Sequence, residues 1–526
     1  MRVLWKQHKD AGTDTPFPRA PAQGFGRTRA EKGSRSHVEF RQSTLASHIL
    51  VLWMMVGTLY ACSDNGDGAH HTQARWIDRA TLEDKVRGSW VGQMAGVAWG
   101  APTEFLYLGR IIPEGEVPVW QREWINLAFI QDDIYVEIPF LDSMRKQGVN
   151  AGWDVFGDAF RDTRFPLWHA NKAGRDNLRS GIQVPDSGHY SCNLHCDDID
   201  WQIEADFVGS MCPGLVNEAV EIAWRVGHVM NYGDGVLGGV FLAAMHAASF
   251  FADSVNDIIE AGRAALPEGS RYRLVVDDVI GWHGQGLTWE ETWQLLQNKW
   301  GTDDRCPDFD SGLQGSKNID AKLNGAYVLT GLLYGNGDLE QSMRIAMRCG
   351  QDSDCNPSSV GGILGNWMGL SGIPEPFKKE LQSCFRFLFT EYTLDDALVA
   401  NLELAGQVML MAGAAVEEGD GSEVWTVPVE RGVQPPLLEQ WATSPNTPPQ
   451  LTAHVVSQNG MAIELEASAT DEDGVLGYEW HFGDVSRAWG AHAVHHYTAP
   501  GTYEIIIYAT DKTGNTSWQS IPVTVP

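Results

Sequence analysis

The spacing of apolar and polar residues divides the chain into two patterns. From Thr81 to about Ala415, apolar residues recur every three or four positions, the period of a helix with one buried face. This spacing predicts helices over 82–99, 128–147, 218–228, 236–251, 320–334 and 394–411, with Gly, Asn and Asp punctuating their ends. Alternating strand patterns are scarce in this stretch, so it reads as one large all-α domain. From Gln450 onward the period becomes two. Residues 463–467, 477–482 and 502–508 alternate as strands, with turns rich in Gly, Asp and Pro between them. About 75 residues of short strands predict a small β-sandwich. Between the two patterns, residues 416–449 hold an acidic run of small residues, Glu417-Glu418-Gly419-Asp420-Gly421-Ser422, and the pairs Pro435-Pro436 and Pro448-Pro449. They read as a linker, with an unassigned middle around 424–429.

The chain has 526 residues, room for two to four domains, and 43% of them are hydrophobic, which argues for a sizeable core and against global disorder. The formal net charge of −30 repels nucleic-acid phosphates and disfavours a nucleic-acid partner. The charge is uneven. Residues 1–61 carry nine Lys/Arg against four Asp/Glu, a surplus of five, so the remainder holds −35. This basic start precedes an apolar run of 13 residues, 49–61, too short for a comfortable membrane span and suited to the apolar region of a signal peptide. The run ends in Leu59-Tyr60-Ala61-Cys62, which resembles a bacterial lipobox. Cys62 would then be acylated and anchor an exported lipoprotein; simple cleavage would leave a periplasmic or secreted one. The expected organisation is an N-terminal extension and signal segment (1–61), a tether (62–80), the helical domain (81–415), the linker (416–449) and the β-sandwich (450–526). Residues 1–40 lie far upstream for a signal's basic region and take no part in the fold reading. Of eight cysteines, seven remain without Cys62, so at least one thiol is unpaired; export permits disulfides without specifying their pairing.

Two aspartate clusters about 220 residues apart hold the candidate chemistry: Gln131-Asp132-Asp133 and Asp352-Ser353-Asp354-Cys355-Asn356, the latter led by Gly350-Gln351. Adjacent carboxylates repel one another, and their apolar neighbours imply partial burial, which is costly without a counter-charge. If the clusters meet, a cation belongs between them, and oxygen donors of this kind suit Mg²⁺, Mn²⁺ or Ca²⁺. Each pair alone also fits a helix cap or a solvated turn. Earlier in the chain, glycines at 88, 92, 96 and 100 share one helix face and favour tight packing against another backbone. Glu104 follows a Gly-Ala-Pro helix stop, which makes it loop-borne. His189-Tyr190-Ser191-Cys192-Asn193-Leu194-His195-Cys196 fits no common zinc-finger spacing and reads as a structural loop or a local disulfide, while His169 and His246 read as packing residues in helices.

Taken in order, the glycine-rich first helix with its loop glutamate, the Gln131-Asp132-Asp133 motif and the late Gly350–Gly365 segment resemble the ADP-ribosylglycohydrolase family over about residues 80–410. Residues 450–526 resemble a PKD domain, an immunoglobulin-like module, through Ala469–Gly474, Tyr478-Glu479-Trp480-His481-Phe482-Gly483-Asp484 and His496–Tyr503. Such modules are extracellular spacers or binding units of glycans or proteins. The first resemblance implies an all-α orthogonal helical bundle and two Mg²⁺ ions, with ligands at Gln131, Asp132, Asp133, Asp352, Asp354 and Cys355. Gln131 and Cys355 stand where the family has threonine or serine. An amide oxygen still ligates, but a thiol is a poorer Mg²⁺ ligand, which brings Mn²⁺ into consideration. Asp352, or a neighbouring carboxylate such as Asp133, would serve as base, and Glu104 would gate the site. A substrate-contacting loop would include Gly209 and Gly214. Asn231, Tyr232, Gly233 and Asp234 open a helix whose N-terminal amides either hold a phosphate or form a plain capped junction.

The expected activity is divalent-metal-dependent hydrolysis of an ADP-ribosyl or related ribosyl glycosidic bond by an exported protein. The alternatives are the paired-carboxylate chemistry of ordinary glycosidases, an unrelated metal-dependent ester hydrolysis, or a non-catalytic surface protein that binds a nucleotide-sugar or glycan.

Overall fold

In the first helix, α1 (Arg79–Gly100), every residue from Gly88 to Gly100 is buried. Its N-terminus is capped by Asp78, which accepts from the Thr81 N–H at 2.8 Å. In this computed structural model, residues 74–302, 318–419, 422–439, 449–471, 474–484, 486–511 and 516–526 are described. The signal segment, Cys62, most of the tether and Cys306 lie outside them. After α1 come α2 (Asp132–Tyr135), α3 (Glu137–Gln147), α4 (Trp153–Arg161), α5 (His169–Arg179), α6 (Asp200–Glu204), α7 (Asp206–Ser210) and α8 (Val216–Gly227). The helical part continues through α9 (Asp234–Ser249), α10 (Val255–Ala264), α11 (Arg271–Gly284), α12 (Trp289–Trp300) and α13 (Ala321–Gly335). It ends with α14 (Leu339–Arg348), α15 (Cys355–Gly372) and α16 (Leu394–Met411). Helices α1, α9, α13 and α15 are buried on nearly all sides and form the centre of this domain, as helices with little amphipathicity do. Among the described residues, no helix is long and apolar enough to cross a membrane.

The glycine face of α1 packs backbone to backbone against α15. A methyl at Gly88, Gly92, Gly96 or Gly100 would lie 2.0–2.1 Å from the carbonyl oxygens of Gly365, Gly361, Pro357 and Ser353 respectively. Residue numbers fall on α15 as they rise on α1, so the helices are antiparallel. The C-terminal end of α1 therefore meets the N-terminal end of α15.

The helix expected over 128–147 is broken. A 3₁₀ segment (Arg122–Ile130) leads to an extended Gln131 (φ −94°, ψ 139°), the short α2, a junction at Val136 and then α3. Pro139 explains the second break: it has no N–H to give the Tyr135 carbonyl and its ring would clash there, whereas in the first turn of a new helix it is tolerated.

Strands occur where the sequence pattern suggested tether and linker. β1 (Ala74–Asp78), β2 (Ala415–Gly419) and β3 (Ser422–Pro428) form an antiparallel sheet in the order β1-β3-β2, pairing Ile77 with Trp425. Alternate residues Trp425 and Val427 enter the helical core, so the ends of the helical domain are stitched together by this sheet.

The C-terminal part is a two-sheet antiparallel sandwich. One sheet is β4 (Gln450–Asn459), β5 (Ala462–Thr470) and β8 (His492–His496); the other, in order β10-β9-β6-β7, is β6 (Val475–His481), β7 (Arg487–Trp489), β9 (Gly501–Asp511) and β10 (Thr516–Val525). Leu465, Trp480, Tyr497, Ile505 and Ile507 fill its core. In β9 the outward residues Ile506 and Tyr508 are buried as well, because Leu194 of the helical domain covers them. Lys172 lies 4.1 Å from the Trp489 ring centroid across the same junction.

Gly92→Ala is expected to lower stability by about 3 kcal/mol or more, because its methyl must displace backbone rather than a flexible side chain. Gly281→Ala, in a helix with nothing within 4 Å of the added carbon, is expected to raise it by up to about 1 kcal/mol. Denaturant unfolding of the two variants checks the contrast; equal effects would contradict the backbone seam.

Candidate functional site

The antiparallel seam carries the chain that follows α1 to the Gly350–Cys355 turn. Thr103 Oγ1 lies 2.8 Å from Ser353 Oγ, the Phe105 N–H donates to the Gln351 carbonyl at 3.1 Å, and the Gln351 N–H donates back to the Tyr107 carbonyl at 3.1 Å. Two non-glycine residues face each other in left-handed conformation here, Phe105 (φ +51°) and Gln351 (φ +54°). Beside them Gly350 (φ +82°) has the Tyr107 carbonyl where a side chain would be. Left-handed residues cost of order 1 kcal/mol each and persist only where surrounding contacts impose them. The result places Glu104 close enough to Asp352 to act on its ionisation.

The two aspartate clusters converge. The Cys355 thiol donates to Asp133 Oδ1 at 3.1 Å and lies 3.9 Å from Asp354 Oδ1. Donor atoms of Asp352, Asp354 and Cys355 lie within 4.8 Å of one another. Asp133, Asp352 and Asp354 are 0%, 3% and 1% exposed, which leaves them out of water's reach. Gln131 is buried at the cap of α2. Among the described residues, Gln131 Oε1, Asp133 Oδ2 and Asp352 Oδ1 have no hydrogen-bond partner.

Burial dominates the ionisation of this group. It pushes Asp352 up to about 8, against a hydrogen bond from Asp354 and with the charges of Glu104 and Asp133 adding to the rise. Asp133 is raised well above the usual range by burial and then by Asp354 and Asp132; Asp354 is raised by burial and then by Asp352. Burial and the neighbouring carboxylates also raise the Cys355 thiol, which keeps its proton for Asp133. Among the described residues, no lysine or arginine is a main charge acting on Asp133, Asp352 and Asp354.

More acids stand behind them. Burial raises Glu204, which accepts from Asn171 and feels Asp132 and Asp133; burial raises Glu137, which accepts from Gln93; and burial pushes Asp200 up to about 7 although the Ala170 and Asn171 N–H groups donate to it. Glu137 was not among the sequence candidates, although its four-residue spacing from Asp133 was a signal. Unpartnered carboxylate and amide oxygens in a buried acidic pocket fit a hard divalent cation, which Asp132, Asp133, Asp352 and Asp354 could hold with the Gln131 amide. The protonated thiol of Cys355 fits that role least.

The other candidates lie in packing roles. Gly209 of α7 abuts the Ala243 carbonyl and His246, and Gly214 (φ +71°) abuts the Phe251 ring, so neither forms an open substrate loop. Asn231 is fully engaged: its oxygen accepts from the Trp201 N–H, and its amide donates to the Cys196 and Asp198 carbonyls. Tyr232 packs against His189 and Tyr190, and Asp234 accepts from the Tyr272 N–H. The expected phosphate position is taken by the chain itself. The Gly233 N–H donates to Glu439 at 2.7 Å, and the other Glu439 oxygen lies 2.6 Å from His228 Nε2. A carboxylate thus fills the N-terminus of α9, as the positive end of a helix favours. Among the described residues no disulfide joins Cys192 to Cys196, so residues 189–196 form a loop without a local one. His246 packs as expected, against Ser89 and Asp206.

A sequence model of the family described as ADP-ribosylglycohydrolase matches residues 78–411, and one described as PKD domain matches residues 446–525. Among solved structures, the chain is similar to an ADP-ribosylglycohydrolase-related protein complex at 17% identity, covering 63% of this chain and 100% of that one, with a TM-score of 0.41. It is also similar to the PKD1 domain of Vibrio anguillarum Epp (23% identity, 15% of this chain, 95% of that one, TM-score 0.15). A third similarity is to the PKD1 domain from Vibrio cholerae metalloprotease PrtV (21% identity, 15% and 98%, TM-score 0.15).

The raised carboxyls make a signed prediction. Ionising Asp352, whose ordinary value is 3.8 and whose folded value is about 8, favours the unfolded chain, so its contribution is lost as pH rises through that window. With chelator present, the melting temperature is expected to fall between pH 5 and pH 8, and Mg²⁺ is expected to restore it most at pH 8. Asp133→Asn should raise the chelated protein's stability at pH 8 and remove the Mg²⁺ response. A pH-independent melting temperature in chelator would contradict uncompensated burial.

Proposed function

The chain belongs to the ADP-ribosylglycohydrolase family, whose members are hydrolases of ADP-ribosyl-type bonds, and from that membership we propose a divalent-cation-dependent hydrolase of an ADP-ribosyl or related ribosyl glycosidic bond. One observation carries the metal dependence: Asp133, Asp352 and Asp354 are buried together, with unpartnered oxygens on Asp133 and Asp352 and, among the described residues, no basic counter-charge as a main influence on them. When bound, a cation supplies neutralising charge and Lewis acidity toward the hydroxyls of the sugar. Asp132, Asp133, Asp352 and Asp354 are its proposed ligands, joined by the Gln131 amide oxygen.

The proton chemistry falls to Asp352. Its carboxylate can take a proton from an attacking water and return it, with Glu104 as a neighbouring charge. Cys355 donates to Asp133 and fixes its orientation. The buried surroundings exclude bulk water, which strengthens these interactions. Glu439 occupies the Gly233 N–H, which argues against a phosphate at the start of α9. The PKD domain suggests an extracellular or surface protein, and the basic, apolar and Cys62-terminated start of the chain supports export as a lipoprotein. Two substitutions, Gln131 and Cys355 where the resemblance expects hydroxyl residues, favour one second reading: a surface protein that binds a nucleotide-sugar without turning it over.

The test is release of ADP-ribose from ADP-ribosyl-arginine and ADP-ribosyl-serine in Mg²⁺ or Mn²⁺. Turnover is expected, with losses of roughly 100-fold or more in Asp132→Asn and Asp354→Asn. Cys355→Thr, which puts a hard hydroxyl oxygen beside the carboxylates, is expected to strengthen Mg²⁺ binding. Binding of ADP-ribose without turnover would establish the second reading, and turnover unaffected by chelator would sink the metal-dependent one.

A further inference from the structure

A separate cluster lies where the helical domain meets the β-sandwich. His169 is the first residue of α5, and His195 and Asp198 belong to the loop before α6. They are 7%, 2% and 0% exposed, so their polar atoms answer to one another rather than to solvent. One Asp198 oxygen lies 2.8 Å from His195 Nδ1 and 3.4 Å from His169 Nδ1, and all three donor atoms lie within 4.8 Å of one another. The imidazole rings stand nearly perpendicular, with an interplanar angle of 74° and centroids 5.6 Å apart. We propose that these three side chains form a binding site for a borderline first-row divalent cation, zinc above all, distinct from the carboxylate cluster.

Four features of the chemistry carry the proposal. Two imidazole nitrogens and one carboxylate oxygen form a donor set suited to zinc and poorly suited to Mg²⁺. Ligand atoms around a tetrahedral zinc lie about 3.3 Å apart, given bonds of about 2.0–2.1 Å. The Asp198–His169 spacing already meets this, and the Asp198–His195 spacing need open by only about half an ångström. Next, the far side of His195 is built as metal-bound histidines are: Nε2 lies 3.2 and 3.4 Å from the two Glu479 oxygens. Glu479 belongs to β6 and also pairs with His481 at 3.0 Å. Glu479 thus offers an acceptor to the His195 Nε2–H on the side of the ring away from Asp198. Finally, His169 has a left-handed backbone (φ +40°), a conformation costly for a side-chain-bearing residue. Asp200 imposes it by accepting from the next two N–H groups, and the strained turn brings the ring to Asp198.

Without metal, the same atoms can form hydrogen bonds in which both rings donate to Asp198. A cation bound at these nitrogens needs them unprotonated, so uptake should weaken at acidic pH. Because Glu479 comes from the sandwich, the bound ion would clasp the two domains together through His195.

The test uses the full chain, stripped with chelator and returned to excess Mg²⁺ so that hard oxygen sites are filled. Zinc content by mass spectrometry and the visible spectrum after Co²⁺ substitution are then read on wild type and variants. About one zinc per chain is expected in wild type, lost in His169→Ala and His195→Ala and retained in Asp132→Asn. Glu479→Gln should keep the stoichiometry while weakening affinity by about 10- to 100-fold, which tests the site even if His195→Ala fails to fold. No zinc uptake by wild type in excess Mg²⁺ would overturn the proposal. So would zinc that survives His169→Ala and disappears in Asp132→Asn, because that ion would belong to the carboxylate cluster.

Discussion

Several carboxyl groups share one buried pocket in which, among the described residues, no lysine or arginine is a main charge on Asp133, Asp352 or Asp354, and that condition shapes the helical domain around it. Carboxylates taken out of water repel one another strongly, and each ionised group pays for desolvation as well. Two remedies exist. Protons can neutralise them, which the raised ionisation of Asp133, Asp352 and Asp354 expresses, or a cation can. At neutral pH a divalent ion is the stronger remedy, because one ion offsets two charges and its ligands need not stay protonated. The unpartnered oxygens of Gln131, Asp133 and Asp352 are the coordinates of that demand.

The pocket exists because two backbones touch. The stripe Gly88, Gly92, Gly96 and Gly100 brings α1 against α15 so closely that carbonyl oxygens occupy the places of side chains. This contact fixes where α15 begins and so where Asp352, Asp354 and Cys355 lie relative to Glu104. The hydrogen bonds from Phe105 to Gln351 and from Gln351 to Tyr107, with Phe105 and Gln351 both left-handed, lock the same junction from the loop side. The break of the preceding helix at Gln131 and Val136 is equally needed, because it turns Asp132 and Asp133 into the first turn of α2 rather than the flank of a long helix. Asp133 can then reach the thiol of Cys355.

Much of this was legible in the sequence. Helical periodicity marked α1, α8, α9, α13 and α16 to within a few residues, and the change to a period of two marked the sandwich. The glycine stripe was legible as tight packing, and two acidic motifs far apart were legible as one site because like charges need a common partner. The break before α3 was missed because apolar spacing continues through Pro139, whose effect depends on which helix turn it occupies. β3 was missed because its short alternation, Trp425 and Val427 inward, lies among acidic and small residues that read as linker. The role of Asn231 and Gly233 was hidden for another reason: the group that fills the helix end, Glu439, is more than 200 residues away. The meeting of His169, His195 and Asp198 likewise depends on the left-handed turn at His169, which no residue pattern announces.

The most direct test of the carboxylate account is a crystal of the full chain soaked in Mn²⁺ and measured at the manganese absorption edge. An anomalous peak is expected among the side chains of Asp133, Asp352 and Asp354, at about 2.0–2.6 Å from their oxygens. A fully ordered pocket with no peak there at saturating Mn²⁺ would contradict it.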